Sequence, residues 1–347
     1  MEPNSDGLVV AVVGATGLVG RTMITVLEER GFPVRKLVPL AASAGGRSVT
    51  FRGAEVSVQE ATADAFTGVD IALFSAGADV SLSLAPEAAA RGCVVVDNSS
   101  AWRMDESVPL VVSQVNPEAL RQHRGIIANP NCSTMQLAPL LKALQEEAGL
   151  RRVVVATYQA VSGAGGEAVD DLRQQRAAVV AGEQPRSVIY PHPVVLSPIP
   201  AIDSFLDDGS TKEEQKVVRE SRKILGLPDL RISATAVRIP VEVSHSEAVH
   251  VELEQRVSPV RARTVFAQTD GVFVEDDPNA NLYPLAARSA GSDGIFVGRI
   301  RTDESVEHGL AFWVVSDNVR KGAATNAVQL AEILVKNSLL WGSSSRD

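Results

Sequence analysis

The residues with chemistry to offer gather at one junction. In GIIANPNCSTMQLAPLLKAL, residues 125–144, a short apolar run stops at Asn-Pro-Asn, a cysteine follows, and an amphipathic helical pattern begins at Ser133. Cys132 therefore leads directly into a helix, where unpaired N–H groups and the helix dipole lower a thiol pKa and favour the thiolate. The neighbouring amides, with Asn131, are placed to stabilise the oxyanion that forms when sulfur attacks a carbonyl. Such a nucleophile needs a base, and the chain has five histidines. His123 and His192 sit in loop-like contexts, His250 falls within an alternating strand where packing is expected, and His308 precedes an apolar run. His245 stands in RIPVEVSHSEAV, just before a strand expected at 248–257 and seven residues after Arg238, and is the candidate.

A second constellation lies near the start. VVGATGLVGRT, residues 12–22, sets Gly14, Gly17 and Gly20 between an apolar run and a helical pattern. Glycines there let the backbone approach a pyrophosphate, while Thr16, Leu18 and Val19 carry the loop into the donor-rich helix N-terminus. The carboxylate that usually holds the NAD ribose at the end of the second strand is absent; that segment reads VPLAASAGGRS, residues 38–48. Ser43, Arg47 and Ser48 are available there to a 2′-phosphate, which favours NADP and leaves NAD possible.

The elements that must hold these residues read as two domains. LVVAVVG (8–14), VRKLVPL (34–40), DIALFSAG (70–77), CVVVDNSS (93–100) and GIIANP (125–130) are short apolar runs separated by helical patterns. That alternation predicts a parallel sheet covered by helices, with ligands at the carboxyl ends of its strands. From Arg151 the texture changes to strands at 231–240, 248–257, 295–301 and 309–316, with helices at 166–181, 212–225 and 259–268, an α+β domain with a mixed sheet. Residues 182–210 read as an extended excursion, and residues 317–337 as a final helix packing back on the first domain. The expected division is 1–131 plus 318–347 for dinucleotide binding and 132–317 for catalysis and dimerisation.

Composition excludes other classes. A net charge of −9, spread along the chain, lacks the basic footprint of a nucleic-acid binder. No apolar run is long enough to span a membrane, and MEPNSDG lacks the basic and apolar regions of a secretory signal. The two cysteines, one of them Cys93 inside the strand CVVVD, read as thiols of a reducing cytoplasm. No Cys/His cluster has zinc spacing, so no metal is expected. The apolar strands of the second domain suggest a homodimer.

NPNCST (129–134), YQAVSGAG (158–165) and RIPVEVSHSEAV (238–249) together resemble aspartate-semialdehyde dehydrogenase of the bacterial type. GATGLVG, DNSSAWRM (97–104), EEQKVVRESRKILG (213–226) and SDNVRKGAATN (316–326) extend the resemblance over nearly the whole chain in order. It implies NADPH-dependent reductive dephosphorylation of aspartyl phosphate to aspartate semialdehyde and phosphate. Cys132 would be the nucleophile that becomes an acyl-thioester, and His245 the acid/base that activates it. Gln159 would orient the acyl group, Arg238 bind the substrate α-carboxylate and Glu213 face its amino group. Arg103 and Lys216 would take the phosphate, and Ser162, Gly163 and Asn318 would lie by the nicotinamide. Many members of that type carry Arg-Ser after the second strand to grip the 2′-phosphate; an ungapped match places Ser43 and Ala44 there instead.

Overall fold

The computed structural model describes residues 7–340, so residues 1–6, with most of the MEPNSDG segment, lie outside the described residues. The chain forms two units, Met1–Pro130 with Ala323–Asp347, and Asn131–Gly322. The sequence expectation had set the divisions at 131/132 and 317/318. Asp317–Gly322 stays with the second unit because the Asp317 carboxylate accepts the Gly291 and Val319 amides at 2.7 and 2.8 Å. Asn131 is likewise held there, its N–H donating to Glu220 at 2.6 Å.

The first unit begins with β1 (Leu8–Val13), α1 (Leu18–Glu29) and β2 (Val34–Ala41). A small hairpin of β3 (Ser48–Phe51) and β4 (Ala54–Ser57) leads to β5 (Gln59–Glu60) and β6 (Ile71–Phe74). After α2 (Ala78–Ala90) come β7 (Val94–Asp97) and β8 (Ile126–Ala128). All strands of the main sheet run parallel in the order β5-β2-β1-β6-β7-β8. The apolar run of β1 is continuous because both faces are covered: Val10 and Val12 enter one core, Val9, Ala11 and Val13 the other. The chain leaves β1 for β2 on one side and reaches β6 on the other, so the glycine loop after β1 sits where the strand order reverses.

The C-terminal segment departs from the single helix expected over 317–337. Arg320–Thr325 is a wide π turn, and regular α-helix runs only from Asn326 to Lys336. Ala327, Leu330 and Leu334 of that helix are fully buried in the first unit's core.

The second unit opens with α3 (Cys132–Ala148) and β9 (Leu150–Gln159), followed by α4 (Gly166–Val180) and α5 (Lys212–Leu225). Then come β10 (Arg231–Arg238), β11 (His245–Leu253), α6 (Pro259–Ala267), β12 (Val272–Val274), β13 (Ile295–Asp303) and β14 (Gly309–Ser316). Their order is β10-β9-β11-β14-β13-β12, a mixed sheet. β11 starts three residues earlier than the pattern indicated, since Ser246 and Glu247 pair with Tyr158 and Thr157 of β9. His245 is thus the first residue of a central strand.

One face of this sheet packs on α3 and α6, with Val153, Val155, Val249, Val251 and Phe312 against Leu137, Leu141 and Phe266. The opposite face carries Val154, Ala156, Tyr158, Ala248 and Trp313, all half-buried, with the Tyr158 and Trp313 rings 5.3 Å apart. His250 lies on that face too. Expected to be packed, it is instead half-buried, its side chain 44% exposed and bonded to Asp303 at 2.8 Å.

Candidate active site

Cys132 occupies the first position of α3, and Asn131 caps the helix, its Oδ1 accepting the Ser133 N–H at 3.0 Å. No acidic side chain of the helix itself occupies its first turn, so the sulfur stands at the positive end of the helix dipole. Gly322 packs on this cysteine: a Cβ there would stand 2.9 Å from the Cys132 Cβ. Any larger residue would push on the thiol.

Asn131 was expected to help stabilise an oxyanion. Its side chain is otherwise engaged: Oδ1 holds the cap, and Nδ2 donates to Glu213 Oε1 at 2.9 Å. These bonds give it a positioning part and use one of the two Nδ2 hydrogens. Gln159, at the end of β9, donates from Nε2 to Glu213 Oε1 at 3.1 Å and Ser133 Oγ at 2.9 Å. Glu213, 5% exposed, is therefore the hub beneath the cysteine turn. Burial alone would raise its pKa, but the Lys216 charge and the Asn131 and Gln159 amides outweigh burial and hold it below the usual carboxylate range. Lys216 donates to Glu213 at 3.1 Å and Asp203 at 2.8 Å. Burial would lower the Lys216 pKa; the two carboxylates raise it instead.

His245 is fully buried, and its Nδ1 accepts the Ala160 N–H at 3.0 Å. That bond fixes the neutral ring with its proton on Nε2. Nε2 has no hydrogen-bond partner among the described residues. Burial and the charge of Arg238 hold the ring well below the ordinary histidine range. Arg238, at the end of β10, is 5% exposed and donates from Nη1 to Ala160 O at 2.6 Å, while its Nε is buried without a partner. Its guanidinium carbon also lies 5.7 Å from the Tyr190 ring centre. Gly163 lets these two groups converge: a Cβ there would meet Arg238 Nη1 at 2.9 Å and His245 Nε2 at 3.3 Å.

Ser162 and Asn318 are buried and bonded to each other at 3.0 Å. Asn318 Oδ1 also accepts the Ser244 N–H at 2.9 Å. Ser244 has φ +78°, a strained conformation for a residue with a side chain, directly before His245.

The second unit thus brings together Cys132, Asn131, Gln159, Glu213 and Lys216, and joins His245 with Arg238, Gly163, Ser162 and Asn318. The remaining expected residues belong to the first unit. Arg103 is buried, donating to Asn129 O at 3.0 Å and Asn98 O at 2.6 Å. Gly14 has φ +82°, and a Cβ there would meet Ser75 O at 2.4 Å, so only glycine fits. Gly17 precedes α1 without a side-chain cap, and the amides of Leu18 and Val19 open the helix. The Val19 side chain packs on the core, so only its backbone is on offer. Arg47 reaches Thr16 Oγ1 at 3.2 Å and also bonds the carbonyl of Ser43.

Sequence reasoning missed Ala160, which acts through its backbone, Gly322, which acts through packing, and Ser133 and Glu220, whose side-chain oxygens accept Gln159 Nε2 and the Asn131 N–H. Only Gly322 had a signal, a glycine within a helical pattern. Among the described residues no Cys/His/Asp/Glu cluster suits a metal, and no helix is long and apolar enough to cross a membrane.

Comparison with known proteins bears on what this arrangement serves. Residues 9–123 match the family model of the semialdehyde dehydrogenase NAD binding domain, and residues 139–321 that of the semialdehyde dehydrogenase dimerisation domain. The chain is similar to aspartate-semialdehyde dehydrogenase of Aquifex aeolicus (strain VF5), 52% identical over 96% of this chain and 100% of that protein. The corresponding protein of Bacillus subtilis (strain 168) is 48% identical over 96% of this chain and 99% of its own. A crystal structure of aspartate semialdehyde dehydrogenase II from Vibrio cholerae, complexed with ASA, superposes with TM-score 0.93 at 44% identity, covering 96% of this chain and 99% of that one. On identity and fold shared over nearly its whole length, this chain belongs to the aspartate-semialdehyde dehydrogenase family of oxidoreductases.

Proposed function

We propose that the protein reduces L-aspartyl-4-phosphate to L-aspartate 4-semialdehyde, releasing phosphate, with NADPH as electron donor and Cys132 carrying the acyl group as a thioester. The observation that carries this reading is Cys132 at the first position of a capped helix, in one unit with a neutral, buried His245 and a buried Arg238. The Cys132 thiolate attacks the acyl carbon and phosphate leaves. The Nε2–H of His245 donates to the acyl oxygen as negative charge grows there, so the acid half of its acid/base role is the half its geometry favours. Once the acyl carbon has been reduced, breaking the carbon–sulfur bond releases the aldehyde and returns the electron pair to Cys132. Arg238 holds the α-carboxylate, Gln159 the acyl group and Glu213 the amino group, while Lys216 and Arg103 take the phosphate.

The first unit's residues fit a dinucleotide. Gly14 permits close backbone approach, and the uncapped start of α1 presents N–H donors to a pyrophosphate. Thr16, Gly17, Leu18, Val19 and Ser43 line that proposed contact; Ser162, Gly163 and Asn318 are the residues proposed for the nicotinamide. Bound there, the nicotinamide supplies the hydride. Arg47, between Thr16 and Ser43, supports a 2′-phosphate and hence NADP over NAD. The first unit with the last helix is read as dinucleotide-binding, and Asn131–Gly322 as catalytic.

The same reading makes the protein a cytoplasmic homodimer that supplies lysine, diaminopimelate, threonine, methionine and isoleucine biosynthesis. The apolar face of Val154, Ala156, Tyr158, Ala248 and Trp313 supports the dimer. The test is semialdehyde oxidation followed through reduced cofactor. We expect absolute dependence on phosphate and a lower KM for NADP than for NAD; oxidation that proceeds equally without phosphate overturns the reading.

A further inference from the structure

Glu247 is a wholly buried carboxyl that the proposed chemistry does not use. It lies two residues after His245 on β11, so both side chains project from the same face of the sheet. Its direct neighbours across the sheet are Thr157 on β9 and Val314 on β14, neither of them charged. From α3 the neighbouring polar group is Gln136, four residues after Cys132 and hence on the same side of the helix. Neither Glu247 oxygen has a hydrogen-bond partner, and neither has Gln136 Nε2.

A buried carboxylate without a cation or donors is untenable, and such a group keeps its proton. The titratable groups on surrounding elements are His245 on its own strand, Cys132 on α3, Lys321 in the turn beside Cys132, and Glu213, Lys216 and Glu220 on α5. Lys216 is already held by Asp203 and Glu213. Burial pushes the Glu247 carboxyl up to about 8, and Gln136 pulls it the other way. Protonation gives the carboxyl an O–H donor, and the carbonyl oxygen of the neighbouring Gln136 amide is an acceptor for it.

We propose that Glu247 is a positioning residue: as a buried carboxylic acid whose O–H donates to the Gln136 carbonyl oxygen, it ties the first turns of α3, and with them Cys132, to the strand that carries His245. The inference rests on the reading that Cys132 and His245 perform the reaction. Loss of the Glu247 proton leaves the Gln136 carbonyl without its donor and a bare charge in the core. The tie then fails as pH rises through the Glu247 titration.

The test compares wild type, Glu247→Gln and Glu247→Ala. We expect Glu247→Ala to lower kcat by on the order of 10²-fold with little change in KM, as misplacement of a reacting group does. Glu247→Gln, able to form an amide–amide pair, should recover most of that loss and lack the alkaline decline in kcat that wild type shows above about pH 8. Infrared difference spectra at neutral pH should show a protonated-carboxyl band that Glu247→Gln removes. Superimposable pH profiles for wild type and Glu247→Gln, or an ionised carboxyl at neutral pH, overturn the proposal. Failure of the underlying reading looks different: wild type then shows no phosphate-dependent semialdehyde oxidation at any pH, while the carboxyl band is still measurable.

Discussion

The backbone N–H of Ala160 donates to Nδ1 of His245 at 3.0 Å, and this bond decides which nitrogen of the ring can act. With Nδ1 occupied as an acceptor, the proton sits on Nε2, the nitrogen that lies against Gly163. Accepting a further proton would cost the Ala160 bond and place a cation beside Arg238. We therefore expect nitrogen NMR to find His245 neutral, in the Nε2–H form, at pH values where an ordinary histidine titrates near 6.5. The stability consequence has a fixed sign. The folded pKa lies below the unfolded one, so the unfolded chain takes up more protons as pH falls below about 6.5, and stability drops on the acid side. Replacing His245 with Asn should lower kcat about 10²- to 10⁴-fold, read by steady-state kinetics.

Gly322 tests the placement of the nucleophile without touching its chemistry. A Cβ at that residue would stand 2.9 Å from the Cys132 Cβ, closer than packed carbons come. Gly322→Ala should cut kcat by about 10²-fold, while dinucleotide affinity measured by calorimetry stays near that of wild type.

Glu213 anchors Asn131, Gln159 and Lys216 together. Glu213→Gln keeps the shape and removes the charge, leaving Lys216 with Asp203 alone. Expected is a stability loss of about 1–3 kcal/mol in denaturant titration, with a higher substrate KM. Because the folded pKa is depressed, the wild-type advantage is present above about 4.3 and fades as pH falls through the lower folded value. In the Gln variant that fade should be absent.

Arg47→Ala addresses cofactor choice. If the guanidinium near Thr16 meets a 2′-phosphate, its loss should raise the NADPH KM about tenfold or more and leave the NADH KM nearly unchanged. Equal changes for both would remove the residue from that role.

Much of this was legible from the chain. Continuous apolar runs such as Leu8–Val13 read as strands covered on both faces, and the cysteine between Asn131 and Ser133 read as a helix start. Arg238 and His245 stood out by their company. What stayed hidden arises from pairing between distant segments. His245 was placed outside the strand because its register depends on Ser246 meeting Tyr158, some 90 residues away. The bonds of Asn131 were not foreseen because Glu213, which meets its side chain, and Glu220, which meets its backbone N–H, arrive from α5. The final helix seemed continuous because a π turn at Arg320–Thr325 preserves an apolar stripe while changing the pitch. Ala160 gives no signal at all, since it contributes only its backbone N–H to His245 and its carbonyl to Arg238.

The central claim is that Cys132 carries the acyl group covalently. Rapid quenching after mixing with aspartyl phosphate in the absence of any nicotinamide, followed by peptide mass analysis, measures this directly. The account predicts an aspartyl adduct on the peptide containing Cys132, none on Cys93, and none anywhere in Cys132→Ala. Phosphate release with no adduct on that peptide, or an adduct at another residue, would contradict it.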